Sequence, residues 1–257
     1  MKAGISRSTQ GPAQAAELVR AARRTGFAGI QFKTRQLEAW GFDVQKLSAF
    51  DARAADLGRA GVVFHPGTDF DAWPDITDRV LRFARDIGGE HVCYCCGPRR
   101  EAGFTVGAVA QALTRTGRQY AEHGIGFSFH NHTHSLFDSL DAIAAMCQAV
   151  DSGVCGLTFD TAHAAACGID DLPRAIDRLA DHVWNVHVKD LSEAGQFCPV
   201  GRGTLDLTGA LEALQRIGFD EWLIVDEESA DFDTPESLRI SADFLAVHGL
   251  MQPTTTP

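Results

Sequence analysis

The sequence predicts an α/β protein folded as a single (β/α)8 barrel over residues 1–250, on three observations. The chain has 257 residues, near the ~250 of one such barrel and too few for two sizeable cores. Short apolar runs alternate with amphipathic stretches along its length. Four runs in the second half, residues 126–132, 155–160, 183–190 and 222–228, end in side chains of metal-binding type, at the strand ends where parallel barrels gather their chemistry.

The elements follow in order. Residues 2–6 read as the first strand, and the helix over 12–24 carries Ala16, Leu18, Val19 and Ala22 on one stripe. Strand 29–33 precedes a helix over 44–59, strand 62–66 a helix over 76–87, and strand 91–96 a helix over 106–123. Strands 126–132, 155–160, 183–190 and 222–228 precede helices over 140–150, 172–179, 207–217 and 235–248. Gly26, Gly61, Gly88, Gly124 and Gly218 stand at the helix-to-strand returns, where a left-handed residue is expected. Residues 251–257 are expected to form a disordered tail.

Composition narrows the class of function. The formal charge is −11, from 34 acids against 23 bases, which argues against a nucleic-acid partner because phosphate binding needs a concentrated basic surface. No apolar run approaches the ~20 residues of a membrane span, and the N-terminus has no signal-peptide pattern, so a cytoplasmic location is expected. Seven cysteines are present, read as reduced thiols. Cys93 and Cys96 form a nominal CxxC pair with no second pair at finger spacing, so a structural zinc site is not expected. Apolar helix faces leave room for a homo-oligomer.

Parity along each strand assigns side chains to the lumen, because the helix-covered face must be apolar. Phe127 and Phe129 turn out, placing Ser128, His130 and His132 inside. Thr158 and Asp160 face in opposite Leu157 and Phe159, and Asn185, His187 and Lys189 face in opposite Val186 and Val188. On the last strand Trp222, Ile224, Asp226 and Glu228 face in, and Glu227 points away as a solvated or loop residue. Gln31, Lys33, Val63 and His65 line the lumen from the early strands.

His130, Asp160, His187 and Asp226 thus converge from four successive strands. Two imidazoles and two carboxylates suit Mn2+, Fe2+, Co2+ or Zn2+, whereas Mg2+ favours more oxygen. Each residue also has a plainer reading: a strand-end histidine can be a hydrogen-bonded wall residue, and Asp160 can cap the next turn. Around them lie His132, His163, Lys189 and Glu228 as candidate catalytic groups, Glu228 as a proton shuttle of raised pKa. Lys33, His65 and Arg202 are candidate substrate-binding groups, with Trp73 near the early loops.

Several motifs resemble the xylose isomerase-like TIM barrel superfamily of sugar phosphate isomerases, epimerases and inosose dehydratases. They are Gly26-Phe27-Ala28-Gly29-Ile30-Gln31, His130-Asn131-His132, Asp160-Thr161-Ala162-His163, His187-Val188-Lys189-Asp190, Gly201-Arg202-Gly203 with Leu205-Asp206, and Trp222-Leu223-Ile224-Val225-Asp226. The resemblance implies a barrel with one divalent metal, Mn2+ foremost and Co2+, Fe2+, Zn2+ or Mg2+ as alternatives, held by Glu, Asp, His and Glu from the last four strands. Asp160 and His187 match that pattern. His130 and Asp226 stand where many members have glutamate, and Gln31 also replaces a frequent glutamate. The HNH strand fits a branch that includes inosose dehydratase-like proteins.

The expected function is therefore removal of a proton beside a metal-polarised carbonyl of a keto-sugar, keto-inositol or related polyhydroxy compound, giving isomerisation, epimerisation or dehydration. The alternatives are a non-catalytic or subunit-dependent barrel with an impaired metal site, and an endonuclease IV-like DNA repair enzyme.

Overall fold

A computed structural model describes residues 1–39, 41–48, 54–67, 69–95 and 97–252. Eight parallel strands close on themselves: β1 (Lys2–Arg7), β2 (Gly29–Lys33), β3 (Gly61–Phe64), β4 (His91–Tyr94), β5 (Gly126–His130), β6 (Gly156–Asp160), β7 (Val183–Val188) and β10 (Trp222–Glu227), in the cyclic order β1-β10-β7-β6-β5-β4-β3-β2. Lys2 to Arg7 pair in register with Trp222 to Glu227, and Gly4 opposite Gly29 completes the ring. Between β7 and β10 a short antiparallel hairpin, β8 (Asp190–Leu191) and β9 (Phe197–Cys198), rises from the mouth.

The helices α1 (Pro12–Thr25), α2 (Thr34–Ala39), α3 (Val44–Ser48), α4 (Trp73–Asp86), α5 (Val106–Ala121), α6 (Leu140–Ala149), α7 (Thr161–Ala166), α8 (Leu172–Arg178), α9 (Leu207–Arg216) and α10 (Thr234–Val247) follow the strands. Short oxygen-bearing side chains start several of them: Ser139, Asp171, Asp206 and Asp233 each accept the backbone N–H of the third residue of the helix they precede. The outer strand residues Phe127, Phe129, Leu157, Phe159, Val186, Val188, Leu223 and Val225 are all buried in the main core beneath these helices.

The lumen is packed in layers. At the N-terminal end Trp222 and Ile224 form a separate apolar plug with Ala60. That plug explains Gly29: a Cβ there would lie 2.8 Å from the Trp222 ring. Above it runs a polar layer in which Ser128 bonds both His91 Nε2 (2.7 Å) and Thr158, and Asn185 Nδ2 donates to Thr158 Oγ1 (3.2 Å). The ionisable residues form the top layer.

The structure departs from the sequence reading over residues 34–60, at α7 and at Glu227. The stretch 44–59 is not one helix. It holds α3 and a 3-10 segment over Ala54–Ala60, with residues 49–53 outside the described set, while α2 forms earlier and is pinned where Thr34 Oγ1 donates to the Val63 carbonyl (2.8 Å). The short helix α7 was hidden because six residues hold too little apolar periodicity to register. Glu227 does point away from the lumen, but it is 3% exposed rather than solvated, because Arg7 and Ser229 bond its carboxylate against α10. Cys96 of the nominal CxxC lies outside the described residues, as does the tail from 253 onward; Cys93 is buried.

Candidate metal centre

β5, β6 and β7 end at neighbouring points of the ring, and the centre follows from that. His130, Asp160 and His187, all buried, present one ligand atom each within 4.8 Å of one another. Asp160 serves two purposes at once. Its Oδ1 accepts the His163 N–H (2.8 Å) and starts α7, while Oδ2 faces His130 Nε2 at 3.2 Å. Asn131 locks the strand end from the side, accepting from the Asp160 N–H (2.8 Å) and donating to its carbonyl (3.0 Å).

The tautomer of His187 is set by Gln31. The Gln31 amide donates to the Ala60 carbonyl (3.3 Å), so its Oε1 is the atom facing His187 Nε2 at 2.8 Å. The Nε2 proton therefore goes to Gln31 and the lone pair sits on Nδ1. Nδ1 is buried without a hydrogen-bond partner, 3.7 Å from Asp226 Oδ2 and 3.9 Å from Asp160 Oδ2. A lone pair aimed at two carboxylates is repulsive unless a cation lies between them. This orphaned atom and the imidazole–carboxylate donor set fit a divalent transition metal. Burial, opposed only in part by Asp226 and Asp160, holds His187 well below the usual histidine range, so it stays the neutral form a metal requires.

Asp226 is placed differently from the other three. It stands in a ring of four ion pairs: Lys33 Nζ is 3.1 Å from Asp226 Oδ1 and 2.8 Å from Glu228 Oε1, and Lys189 Nζ is 2.8 Å from Asp226 Oδ2 and 2.7 Å from Glu228 Oε2. The Lys33 approach to Oδ1 is off-axis, an ion pair rather than a hydrogen bond. Burial works against both ammonium groups, but the facing carboxylates overcome it and hold both lysines above their ordinary pKa. Glu228 corrects its expectation: burial and Asp226 push its carboxyl up, yet Lys189 and Lys33 bring it below the usual range, so it is ionised rather than a shuttle of raised pKa.

His163 and His132 sit beside the centre with ring centroids 3.9 Å apart. His163 is buried, and burial lowers it to about 3; its Nε2 accepts from Lys189 at 3.5 Å. His132 is half-buried, and its Nδ1–H donates to the Thr133 carbonyl (2.9 Å). His65 is half-buried beyond β3, Arg202 is exposed, and Trp73 turns into the core against Tyr94 and Phe64.

Sequence reasoning passed over several supporting residues. Gln31 was assigned to the lumen by parity, but nothing local showed that it meets His187 across the barrel. Cys95 Sγ lies 3.7 Å from His130 Nδ1. Phe197 of the hairpin covers Lys189 (4.7 Å from Nζ to the ring centre) and packs edge-on to His163. Asp190, buried, accepts the backbone N–H groups of Leu191, Gly201, Gly203 and Leu205, and so shapes the loop that follows.

Comparison with known proteins agrees with this architecture. The sequence description of the xylose isomerase-like TIM barrel family matches residues 19–247. The rhizopine catabolism protein MocC of Rhizobium meliloti is 27% identical over 180 residues, covering 58% of this chain and 55% of that protein. An inosose dehydratase of Lacticaseibacillus casei is 27% identical over 138 residues, 47% of this chain and 46% of its own. The matches thus span about half the length of these curated relatives. Among solved structures, the probable 3-DHS dehydratase AsbF of Bacillus anthracis superposes with a TM-score of 0.75 at 14% identity, covering 96% of this chain and 99% of that one. L-ribulose 3-epimerase does so at 0.74 and 19% identity, covering 97% and 95%. At such identities the structural likeness establishes the fold alone. Among the described residues no helix is long and apolar enough to cross a membrane.

Proposed function

Because the chain belongs to the xylose isomerase-like TIM barrel family, we propose that it is a divalent-metal-dependent enzyme that removes the proton next to a carbonyl of a polyhydroxy substrate, as an isomerase, epimerase or dehydratase. The observation that carries this reading is the buried His187 Nδ1 lone pair directed at Asp160 and Asp226 beside His130. Dehydration is the favoured branch, since inosose dehydratases stand among the curated relatives and the HNH strand points the same way.

His130, Asp160 and His187 would hold the ion, with Asp226 alongside. Once bound, it supplies Lewis-acid polarisation of the substrate carbonyl. The chain's own groups divide the remaining work. His132 donates its Nδ1 proton to the Thr133 carbonyl, which puts a lone pair on Nε2, the atom assigned here to accept the substrate proton. Lys189 stays protonated in its setting of carboxylates and holds a fixed positive charge against negative charge on the substrate. His163 stays neutral and buried, orienting Lys189 through its Nε2. Phe197 covers this pair and limits water access from the hairpin side.

Mn2+ titration followed by electron paramagnetic resonance tests the centre. One tightly held ion per chain is expected in the wild type, and none in an Asp160→Asn, His187→Ala double variant; equal uptake by the two proteins rejects the assignment. Incubating the Mn2+-loaded protein with a keto-inositol in D2O tests the chemistry. Deuterium entry beside the carbonyl, or loss of a hydroxyl, is expected in proton NMR spectra, and is expected to slow at least 100-fold in His132→Gln.

A further inference from the structure

The ring of Lys33, Asp226, Lys189 and Glu228 is asymmetric in a way that points to a ligand. Each of its two carboxylates takes two contacts, one lysine on each oxygen, at 2.7 to 3.1 Å. The inner one, Asp226, has 6% of its side chain exposed, and the outer one, Glu228, has 33%. Asp226 belongs to β10, whereas Glu228 lies just past its end. The backbone on either side of Glu228 is fixed, because Ser229 donates from both its N–H and its hydroxyl to Glu227, and Glu227 is tied to Arg7. Glu228 can therefore leave the lysines by side-chain rotation alone, without disturbing the strand.

Charge decides what can take its place. Two ammonium groups and two carboxylates are electrically balanced. If Glu228 swings out, each buried lysine loses its nearest carboxylate: Lys33 is left facing Asp226, and Lys189 is left with Asp226 and, at 3.7 Å, the Oδ2 of Asp160, the carboxylate assigned to the ion. Under-compensating a buried ammonium is costly. A neutral polyol does not restore the balance. A carboxylate does, since it offers two acceptor oxygens at the same spacing.

We propose that Lys33 and Lys189 form an anion cradle for a carboxylate of the substrate, and that Glu228 is its internal occupant, displaced when substrate enters. This inference rests on the mouth being the substrate site and narrows the substrate to a polyhydroxy carbonyl compound that also bears a carboxylate, a keto acid of the sugar type. Lys33 comes from β2 and Lys189 from the far side of β10, so the carboxylate end of the substrate is held on the β10 side of the mouth. The carbonyl end is left toward His130 and His132 on β5.

Isothermal titration of the full-length protein with D-gluconate and D-glucitol tests the cradle. These two six-carbon polyols differ only in a carboxylate against a hydroxymethyl group. Dialysis against EDTA beforehand removes any contribution from chelation of a bound ion. Glu228→Gln is expected to bind gluconate at least tenfold more tightly than the wild type, since the neutral amide no longer competes, and to leave glucitol binding unchanged. Adding Lys33→Met to Glu228→Gln is expected to abolish the gain, and Glu228→Ala, read with circular dichroism as a fold control, is expected to behave like Glu228→Gln. Unchanged gluconate affinity in both Glu228 variants, or an equal gain for glucitol, overturns the proposal. Since no metal is present, that failure is separate from a failure of the Mn2+ titration, which concerns His187 and Asp160.

Discussion

At the scale of single residues, the histidine tautomers do most to define the centre. Gln31 takes the Nε2 proton of His187 and thereby turns a bare lone pair toward Asp160 and Asp226. A partner of this kind fixes ring orientation and raises ligand basicity. Replacing Gln31 with leucine removes the acceptor while filling the space, and is expected to weaken Mn2+ binding by roughly 10–100-fold with little change in thermal unfolding. A Mn2+ titration with unaltered affinity would show that His187 is oriented by something else. Parity put Gln31 and His187 in the lumen from sequence alone, but their meeting across the barrel, 156 positions apart, depends on ring closure.

At the scale of elements, the loop after β7 shows how one carboxylate organises a segment with little regular structure. Asp190 closes the HVKD motif and spends its oxygens on four backbone N–H groups spread over residues 191–205. That network holds up the hairpin whose Phe197 lies against Lys189 and His163. Asp190→Ala is expected to cost about 2–4 kcal/mol, from buried N–H groups left without an acceptor, read as a lowered urea midpoint with an unchanged slope. A loss below about 0.5 kcal/mol would mean that the loop holds its shape by other contacts. The motif was visible in the sequence, and Lys189 drew the reading as its reactive member. The role of Asp190 was not legible, because its partners are backbone groups, which no residue pattern advertises.

At the scale of the whole molecule, the barrel buries polar groups at several depths, and this makes stability depend on pH. His91, at the lower end of the lumen and bonded to Ser128, has its pKa lowered by burial from 6.5 to about 3. A histidine depressed in the fold binds a proton in the unfolded chain first. Its neutral burial therefore favours the fold above pH 6.5, and this advantage is lost as pH falls from 6.5 toward 3, by about 1.4 kcal/mol per pH unit. Comparing urea unfolding at pH 7 and pH 5, His91→Gln is expected to lose less stability than the wild type. Parallel losses in the two proteins would show that His91 is not held neutral.

The barrel and the faces of its strands are legible in the residue pattern. Alternation with period two is a local property, and so is the punctuation of helices by glycine and aspartate. Both survive without knowledge of neighbours, which is why strand parity alone brings His130, Asp160, His187 and Asp226 to one mouth. How these groups divide depends on the folded geometry. Three of them meet within metal-binding distance, while Asp226 is claimed by Lys33 and Lys189 together with Glu228. The same holds for Glu227, buried by an arginine from the opposite end of the chain. Charge pairing depends on distance in space, and the closure of β1 onto β10 brings together residues that lie more than 190 positions apart.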